Sequence, residues 1–375
     1  MSRKVEAYIS EKLEAQQHAG LYRRLTVSKE NLADFSSNDY LGLARSKDLA
    51  RSIANRLAAF PRINGSTGSR LLSGNDLYSE EVETMLAGIF AAEAALIFNS
   101  GYSANLAILS ALPQRGDTII YDELAHASIK DGARLSLAKR YSFRHNDLED
   151  LERKIRNANG RIYIVVESIY SMDGDACPLE DLVKLAERND ACIILDEAHS
   201  TGVFGVGGAG MAVDSKLSER IPIRIYTFGK AMGVHGACIA GSAQLREYLI
   251  NFARPFIYTT APDHHTMASI ACAFEYLREH IDLQNDLRQK IMFFENEMSG
   301  HPAIDVKPGT IQTVHIQEPE RVRQRALALQ ENGFDVRPIV SPTVPAGKER
   351  LRICLHSFNS FDEIKELCDL LKTNV

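Results

Sequence analysis

Two stretches, Ile162-Tyr163-Ile164-Val165-Val166-Glu167-Ser168 and Cys192-Ile193-Ile194-Leu195-Asp196-Glu197-Ala198-His199, decide the fold. Each is an almost unbroken apolar run that ends abruptly in a carboxylate. A strand with no polar face must be covered on both sides, which is the condition of a parallel sheet between two helix layers. The same pattern continues outward in both directions. Upstream, residues 94–98, 118–121 and 140–143 read as strands, and Val82, Met85, Leu86, Ile89 and Phe90 form a helical stripe. Downstream, Arg224-Ile225-Tyr226-Thr227 is a further strand. Helical segments after Asn146 and Pro178 fill the intervals. Alternating strands and helices predict an α/β protein whose mostly parallel central sheet is covered by helices.

The rest of the chain falls around that sheet. Residues 1–45 read as an N-terminal helix and lead-in segment, 46–262 as the large α/β domain, and 263–375 as a connecting helix with a small α+β C-terminal domain. With 375 residues the chain exceeds what one core usually holds. Its apolar share of 45% and charged share of 25% are those of a soluble globular protein. A net charge of -6 argues against binding to nucleic acid or an anionic membrane. No apolar run is long enough to span a bilayer, so a cytoplasmic location is expected. Six cysteines without CxxC spacing read as reduced thiols rather than disulfides or a zinc site.

In an open parallel sheet, ligands sit beyond the carboxyl ends of the strands. Ser100, Glu167, Asp196 and Lys230 all lie at such ends, so four strands direct chemistry to one rim. Lys230 stands in Thr227-Phe228-Gly229-Lys230-Ala231-Met232-Gly233, directly after a strand. A lysine so placed can form an imine with a carbonyl if its surroundings lower its pKa; equally, it could be an ordinary loop lysine. The turn Asn99-Ser100-Gly101-Tyr102 joins a strand to a helix N-terminus, where free N–H groups and the helix dipole suit a phosphate. A pyridine-ring cofactor bound as an imine needs that lysine, that anion site and a carboxylate on its ring nitrogen. Lys230, the Ser100-Gly101-Tyr102 turn with Thr227, and Asp196 would supply them. His199 could bond the ring hydroxyl, and His126 could stack on the ring.

Rival patterns are present. Gly205-Val206-Gly207-Gly208-Ala209-Gly210 fits GxGxxG, which would suggest a nicotinamide dehydrogenase, but it does not open a helix directly after a strand. Gly229-Lys230 is followed by Ala231, so it makes no Walker motif. His264-His265 lacks the helical spacing of a metal pair, and no metal is expected.

The motifs Ser37-Asn38-Asp39-Tyr40-Leu41-Gly42, Gly65-Ser66-Thr67-Gly68-Ser69-Arg70, His126-Ala127-Ser128, Ser171-Met172-Asp173-Gly174-Asp175, Asp196-Glu197-Ala198-His199, Thr227-Phe228-Gly229-Lys230 and Pro342-Thr343-Val344-Pro345-Ala346-Gly347 together resemble the α-oxoamine synthase family of pyridoxal-phosphate (PLP) enzymes. The resemblance runs from about residue 34 to 356. It implies the fold of a type I PLP-dependent transferase, and a homodimer with active sites at the subunit boundary. The activity it implies is an acyl transfer, and it lies nearest the branch that joins L-alanine to a pimeloyl thioester. Glycine acetyltransfer and serine palmitoyl transfer are the neighbouring alternatives.

Carried over by position, the resemblance makes Lys230 the imine lysine and Asp196 the partner of the ring nitrogen. It makes His126 the stacking residue, His199 the contact to the ring hydroxyl, and Ser171 and Glu167 further cofactor contacts. Ser100, Gly101, Tyr102 and Thr227 fall at the phosphate, and Thr259 and Thr260 reach it from the neighbouring subunit. Asn38 and Arg352 hold the amino-acid carboxylate, with His126 also at the substrate, and Thr343 is an acyl position. This chain departs from the family pattern at Ile339-Val340-Ser341-Pro342, where many members carry Ile-Arg-Pro, and its Arg337 stands further upstream. Arg23 and Arg24 lie near where a far carboxylate of the acyl chain would be held.

Overall fold

The computed structural model describes residues 2–25, 27, 31–60, 64–301, 304–307 and 309–373. Its longer elements follow in chain order. Helices α1 (Arg3–His18), α2 (Lys47–Leu57) and α3 (Leu77–Ile89) precede strand β1 (Ala94–Phe98). Then come α4 (Gly101–Ala111), β2 (Thr118–Asp122), α5 (Ala127–Leu135), β3 (Lys139–Phe143), α6 (Leu148–Arg156), β4 (Ile162–Glu167), α7 (Leu179–Arg188) and β5 (Ala191–Asp196). Strands β6 (Ile223–Thr227) and β7 (Ala237–Gly241) lead to α8 (Ala243–Phe252), α9 (His264–Glu279) and α10 (Asp282–Met298). The C-terminal unit adds β8 (Ile304–Asp305), β9 (Ile311–His315), α11 (Pro319–Glu331), β10 (Arg337–Ile339), β11 (Arg350–Cys354) and α12 (Phe361–Lys372).

Seven strands form the central sheet in the order β1-β7-β6-β5-β4-β2-β3. Strands β2 to β6 run parallel. The apolar runs alternate between two covered faces, as their sequence demands. Ile119, Val165, Ile194 and Ile225 pack with Ile108 of α4 and Ile129 of α5. Their neighbours Ile120, Ile164, Val166, Ile193 and Leu195 pack on the other face with Leu151 of α6 and Leu182 of α7. Each such side chain contributes roughly 1.5–3 kcal/mol by leaving water. At the edge, β3 shows four exposed residues out of five, Lys139 and Arg140 among them, which discourages pairing with another sheet.

Strand β7 has no counterpart in the sequence reading. It lies antiparallel between β1 and β6, with Thr227 opposite Ala237. Ala-Cys-Ile-Ala-Gly is too short and small-sided to announce itself, and its place is set by the tight return of the chain after β6. The helical stretch expected over 264–298 is two helices. The break falls at His280, whose φ/ψ of -122°/58° leaves the helical region and whose Nδ1 lies 2.8 Å from the carbonyl of Tyr276.

The C-terminal sheet is antiparallel, in the order β10-β11-β9-β8, with two strands before α11 in the chain and two after it. A short pair outside it joins the lead-in to this unit: Ala33–Asp34 runs parallel to Phe334–Asp335. The carbonyl of Phe35 accepts from the N–H of Cys354 (2.8 Å) and that of Tyr40 from the N–H of Ser357 (2.9 Å). Residues 33–43 are thereby fixed against β11, which carries Arg352. Helix α1 buries none of its residues, and its stripe Val5, Tyr8, Ile9 and Leu13 is exposed.

Candidate active site

Lys230 sits at the tip of the hairpin joining β6 to β7. Phe228 donates its N–H to the Gly236 carbonyl (3.0 Å), and Val234 donates to that of Phe228 (2.9 Å). Phe228 and Met232 are fully buried on either side of the lysine. Gly233 has φ +66°, and a Cβ there would stand 2.3 Å from the backbone nitrogen of Ala44. That glycine admits the lead-in segment against the lysine loop. The Nζ of Lys230 forms no hydrogen bond or ion pair with any described residue. Burial pushes its pKa down against the opposing pull of Asp196 and Glu167.

Around it lies a cleft of about 390 Å³, lined by residues from the ends of β1, β4, β5 and β6. Asp196 is buried there; its Oδ2 accepts from Asn105 Nδ2 (2.7 Å) and its Oδ1 from the N–H of Ala198 (2.9 Å). The same Asn105 amide lies 3.1 Å from Ser128 Oγ, which is 2.7 Å from His126 Nδ1. Glu167 accepts the backbone N–H of His126 (2.5 Å), so two strand ends hold the histidine in place. Burial, aided by Asp196, pushes the Glu167 carboxyl up, and burial holds the His126 pKa down.

On the opposite wall, His199 Nδ1 lies 2.8 Å from the Tyr40 hydroxyl, which donates to Asn38 Oδ1 (3.0 Å). Arg352 donates to that same oxygen from Nη2 (2.9 Å) and to the Ser171 carbonyl from Nε (2.7 Å). Burial, with the nearby Lys230 and Arg352 charges, drives the His199 pKa well below its ordinary value.

Sequence reasoning named Ser100, Gly101, Tyr102, His126, Glu167, Asp196, His199, Thr227, Lys230 and Asn38, and all ten line this cleft. Arg352 and Ser171 stand behind Asn38. Thr343 does not join them. It lines a second cleft of about 980 Å³, with Arg23, Lys130, Ser171, Lys348 and Arg350, and His126 borders both spaces. Thr259 and Thr260 are held at the rim, where Asn99 Nδ2 donates to Thr259 Oγ1 (3.2 Å) and the Thr260 carbonyl (3.1 Å). Arg337 is engaged by Asp335 (2.7 Å).

The rival motifs have structural explanations. The Gly205–Gly210 turn folds on itself, Gly208 donating to the Gly205 carbonyl (3.0 Å) and Gly210 to that of Phe204 (2.9 Å), and Glu197 accepts the N–H groups of Met211 (3.0 Å) and Ala212 (2.7 Å) just after it. His264 bonds Asp76 (2.5 Å) and stacks on Phe60. Among the described residues no cluster of His, Cys, Asp or Glu could hold a metal ion, and the six cysteines are unpaired.

Comparison with known proteins agrees with this geometry. The profile described as Aminotransferase class I and II matches residues 30–371. The chain belongs to the aminotransferase class I and II family. Within it, the chain is 40% identical to the 8-amino-7-oxononanoate synthase of Emericella nidulans, over 94% of this chain and 91% of that one. Serine palmitoyltransferase from S. paucimobilis with a bound PLP–myriocin aldimine superposes with a TM-score of 0.88 at 25% identity, covering 98% and 96% of the two chains. The 8-amino-7-oxononanoate synthase of Francisella tularensis gives 0.79 at 29% identity, covering 92% and 98%. This member of the aminotransferase family is accordingly a fold type I, PLP-dependent acyltransferase of the α-oxoamine synthase kind.

The residues present fit that cofactor. A Cβ on Gly101 would stand 2.4 Å from Thr227 Cγ2, so the glycine keeps open the space between the α4 N-terminus and β6. Thr227 Oγ1 is buried with no partner among the described residues, a hydroxyl left free for an acceptor such as phosphate. Ser100 Oγ caps α4 at Ser103 (3.1 Å), leaving the first-turn amides of Gly101 and Tyr102 for an anion.

Three residues that brace the cleft's side chains escaped sequence reasoning. Asn105 and Ser128 brace Asp196 and His126, and Tyr40 joins His199 to Asn38. Asn105 left a readable signal, as a lone amide on the apolar helix Gly-Tyr-Ser-Ala-Asn-Leu-Ala-Ile-Leu, one turn after Gly101. Among the described residues no helix is long and apolar enough to cross a membrane.

Proposed function

We propose that the chain condenses L-alanine with a pimeloyl thioester, releasing CO2 and free thiol and giving 8-amino-7-oxononanoate for biotin biosynthesis. The carrying observation is that His126 borders both the 390 Å³ cleft around Lys230 and the 980 Å³ cleft containing Thr343. One space suits a small amino acid and the other a long acyl chain, and they meet at one histidine. The names of the sequence relatives supply the product.

In this reading Lys230 would tether PLP, Asp196 would serve its ring nitrogen, His199 its ring hydroxyl and His126 its face. Gly101, Tyr102 and Thr227 would take the phosphate, with Ser100, Ser171 and Glu167 supporting them. When bound, PLP supplies an electron sink for the carbanion formed at the substrate Cα. The chain's own residues do the rest. Arg352 and Asn38 orient the amino-acid carboxylate, the guanidinium through charge-assisted bonds. Lys230, whose pKa burial lowers against the pull of Asp196 and Glu167, would take the Cα proton and later return it. His126 polarises the thioester carbonyl as the new C–C bond forms and the thiol leaves. Arg23 and Lys348 in the larger cleft suit an anionic end of the acyl donor.

A homodimer belongs to the same proposal. Ser66 Oγ donates to the Pro262 carbonyl (2.9 Å) and Ala261 donates to that of Gly68 (2.9 Å), tying the glycine-serine loop to the Thr259-Thr260 segment. Leu71, Leu72 and Tyr258 are exposed on these joined loops. A partner covering them would receive Thr259 and Thr260 at its own phosphate site.

The superposition with serine palmitoyltransferase favours a second reading, serine with a palmitoyl thioester. A thiol-release assay crossing alanine, glycine and serine with pimeloyl, acetyl, succinyl and palmitoyl thioesters separates them. Alanine with the pimeloyl thioester should give the highest kcat/KM. A preference for serine with palmitoyl thioester would overturn the substrate assignment and leave the cofactor chemistry standing.

A further inference from the structure

We propose that Arg352 fixes the tautomer of His199 through Asn38 and Tyr40, so that the imidazole carries its proton on Nδ1 and presents Nε2 as a bare acceptor. The argument is a proton count. Arg352 Nη2 lies 2.9 Å from the side chain of Asn38, and a guanidinium can only donate. The Asn38 atom facing it must therefore be the amide oxygen, an orientation that distance alone would leave open.

Tyr40 Oη lies 3.0 Å from that same oxygen. The oxygen has no proton to give, so Tyr40 donates its own, and a phenol has only one. Tyr40 Oη is also 2.8 Å from His199 Nδ1. With its proton committed to Asn38, the phenol can only accept there, and the hydrogen must sit on Nδ1. Tyr40 is fully buried and His199 is 4% exposed, so water does not readily replace either partner. Burial beside the positive Lys230 and Arg352 keeps the ring neutral. A neutral imidazole with Nδ1–H has a lone pair on Nε2.

His199 lines the cleft with Asp196 and Lys230. The relay is built from the chain's own atoms; its meaning for the cofactor rests on the PLP reading of the cleft. An acceptor at Nε2 favours a hydroxyl over an oxyanion on the pyridine ring. Tyr40 is thus a positioning residue that joins the carboxylate clamp of Asn38 and Arg352 to the ring contact at His199. An amino-acid carboxylate drawing on Arg352 would be felt at His199 through three hydrogen bonds.

The test is long-range proton–nitrogen NMR on the purified holoenzyme carrying 15N-labelled histidine, with His199→Gln identifying the resonances. Wild-type His199 should show a protonated, pyrrole-type Nδ1 and an unprotonated, pyridine-type Nε2. Tyr40→Phe should move the proton to Nε2 or mix the two forms. Arg352→Lys, which still only donates, should retain the wild-type pattern. An Nε2–H tautomer or an imidazolium in the wild type overturns the proposal, and so does a Tyr40→Phe variant with Nδ1 still fully protonated. Absorbance of bound PLP is read separately. A protein with the Nδ1–H tautomer that binds no PLP would refute the cofactor reading while the relay stands.

Discussion

Two clusters of buried charge lie at strand ends of the same sheet and are built on opposite terms. At the ends of β5 and β6, Lys230 has no bonded partner among the described residues, although Asp196 and Glu167 stand in the same cleft. At the end of β2, Asp122 is fully buried and saturated: His145 Nδ1 at 3.0 Å and the N–H groups of Asn146 (2.9 Å) and Leu124 (2.8 Å) all reach it. His145 Nε2 bonds Asp175 as well, at 2.7 Å. Burial acts against the charge of both cations. For Lys230 it prevails and the pKa falls; for His145 the two carboxylates outweigh it and hold the pKa up at about 10. Bonding distance decides the difference: a paired charge is a fastening, and an unpaired one remains available for chemistry.

The first way to break this contrast is Lys230→Ala, with the largest expected effect. Loss of the tether and base should lower turnover by roughly 10⁴-fold, on the scale of losing a positioned acid–base group together with its covalent role. The protein should be colourless as isolated. Removing a desolvated, unpaired amine should leave the unfolding midpoint of the apo form unchanged or raised, because sites arranged for function cost stability. A marked fall in that midpoint would show Lys230 to be structural and erase the distinction.

The mirror experiment is His145→Gln. Breaking a fully buried pair costs roughly 3–5 kcal/mol because the partner's charge is left uncompensated. Asp122 is fully buried but His145 and Asp175 are about a fifth exposed, so the cost here should lie toward the lower end, about 3 kcal/mol. Equilibrium denaturation at neutral pH should register a loss of that order, while kcat of the folded, PLP-loaded protein changes only a few-fold. A hundredfold drop in kcat with intact stability would move His145 into the reacting site.

How far the sequence could anticipate this contrast depends on how local each signal is. Strands β4 and β5 are legible because an apolar run without a polar face has only one kind of home. The gathering of Ser100, Glu167, Asp196 and Lys230 at one rim follows from strand ends in a parallel sheet, and the cleft contains all four. Strand β7 was not legible, since its position comes from the return of the hairpin rather than its own five residues. Tyr40 was quoted within a motif, but its task exists only because pairing of Ala33–Asp34 with Phe334–Asp335 brings the lead-in to β11. The His145 cluster was invisible for the same reason: Asp122 ends β2 while His145 and Asp175 come from two separate loops, and none has an unusual local context. Thr343 lines a cleft separate from the one around Lys230, and that the two meet at His126 is a relation between distant loops that neither motif carries by itself.

The smallest effect, and the sharpest on the fastening itself, is a pH slope. In the unfolded chain His145 should titrate near its ordinary value of about 6.5. In the fold the carboxylates of Asp122 and Asp175 overcome burial and raise it to about 10. A raised pKa means the folded state holds the proton more tightly, so the stabilisation is complete below about pH 6.5. It shrinks as pH rises and is lost as the pH passes through about 10. The stability gap between wild type and His145→Gln should accordingly be widest near pH 6, narrower at pH 8 and nearly closed above pH 10. Denaturation midpoints at the three pH values measure it. A gap that stays constant would mean that His145 acts as a neutral hydrogen-bonding spacer, and a gap that widens with pH would reverse the sign of the proposed charge.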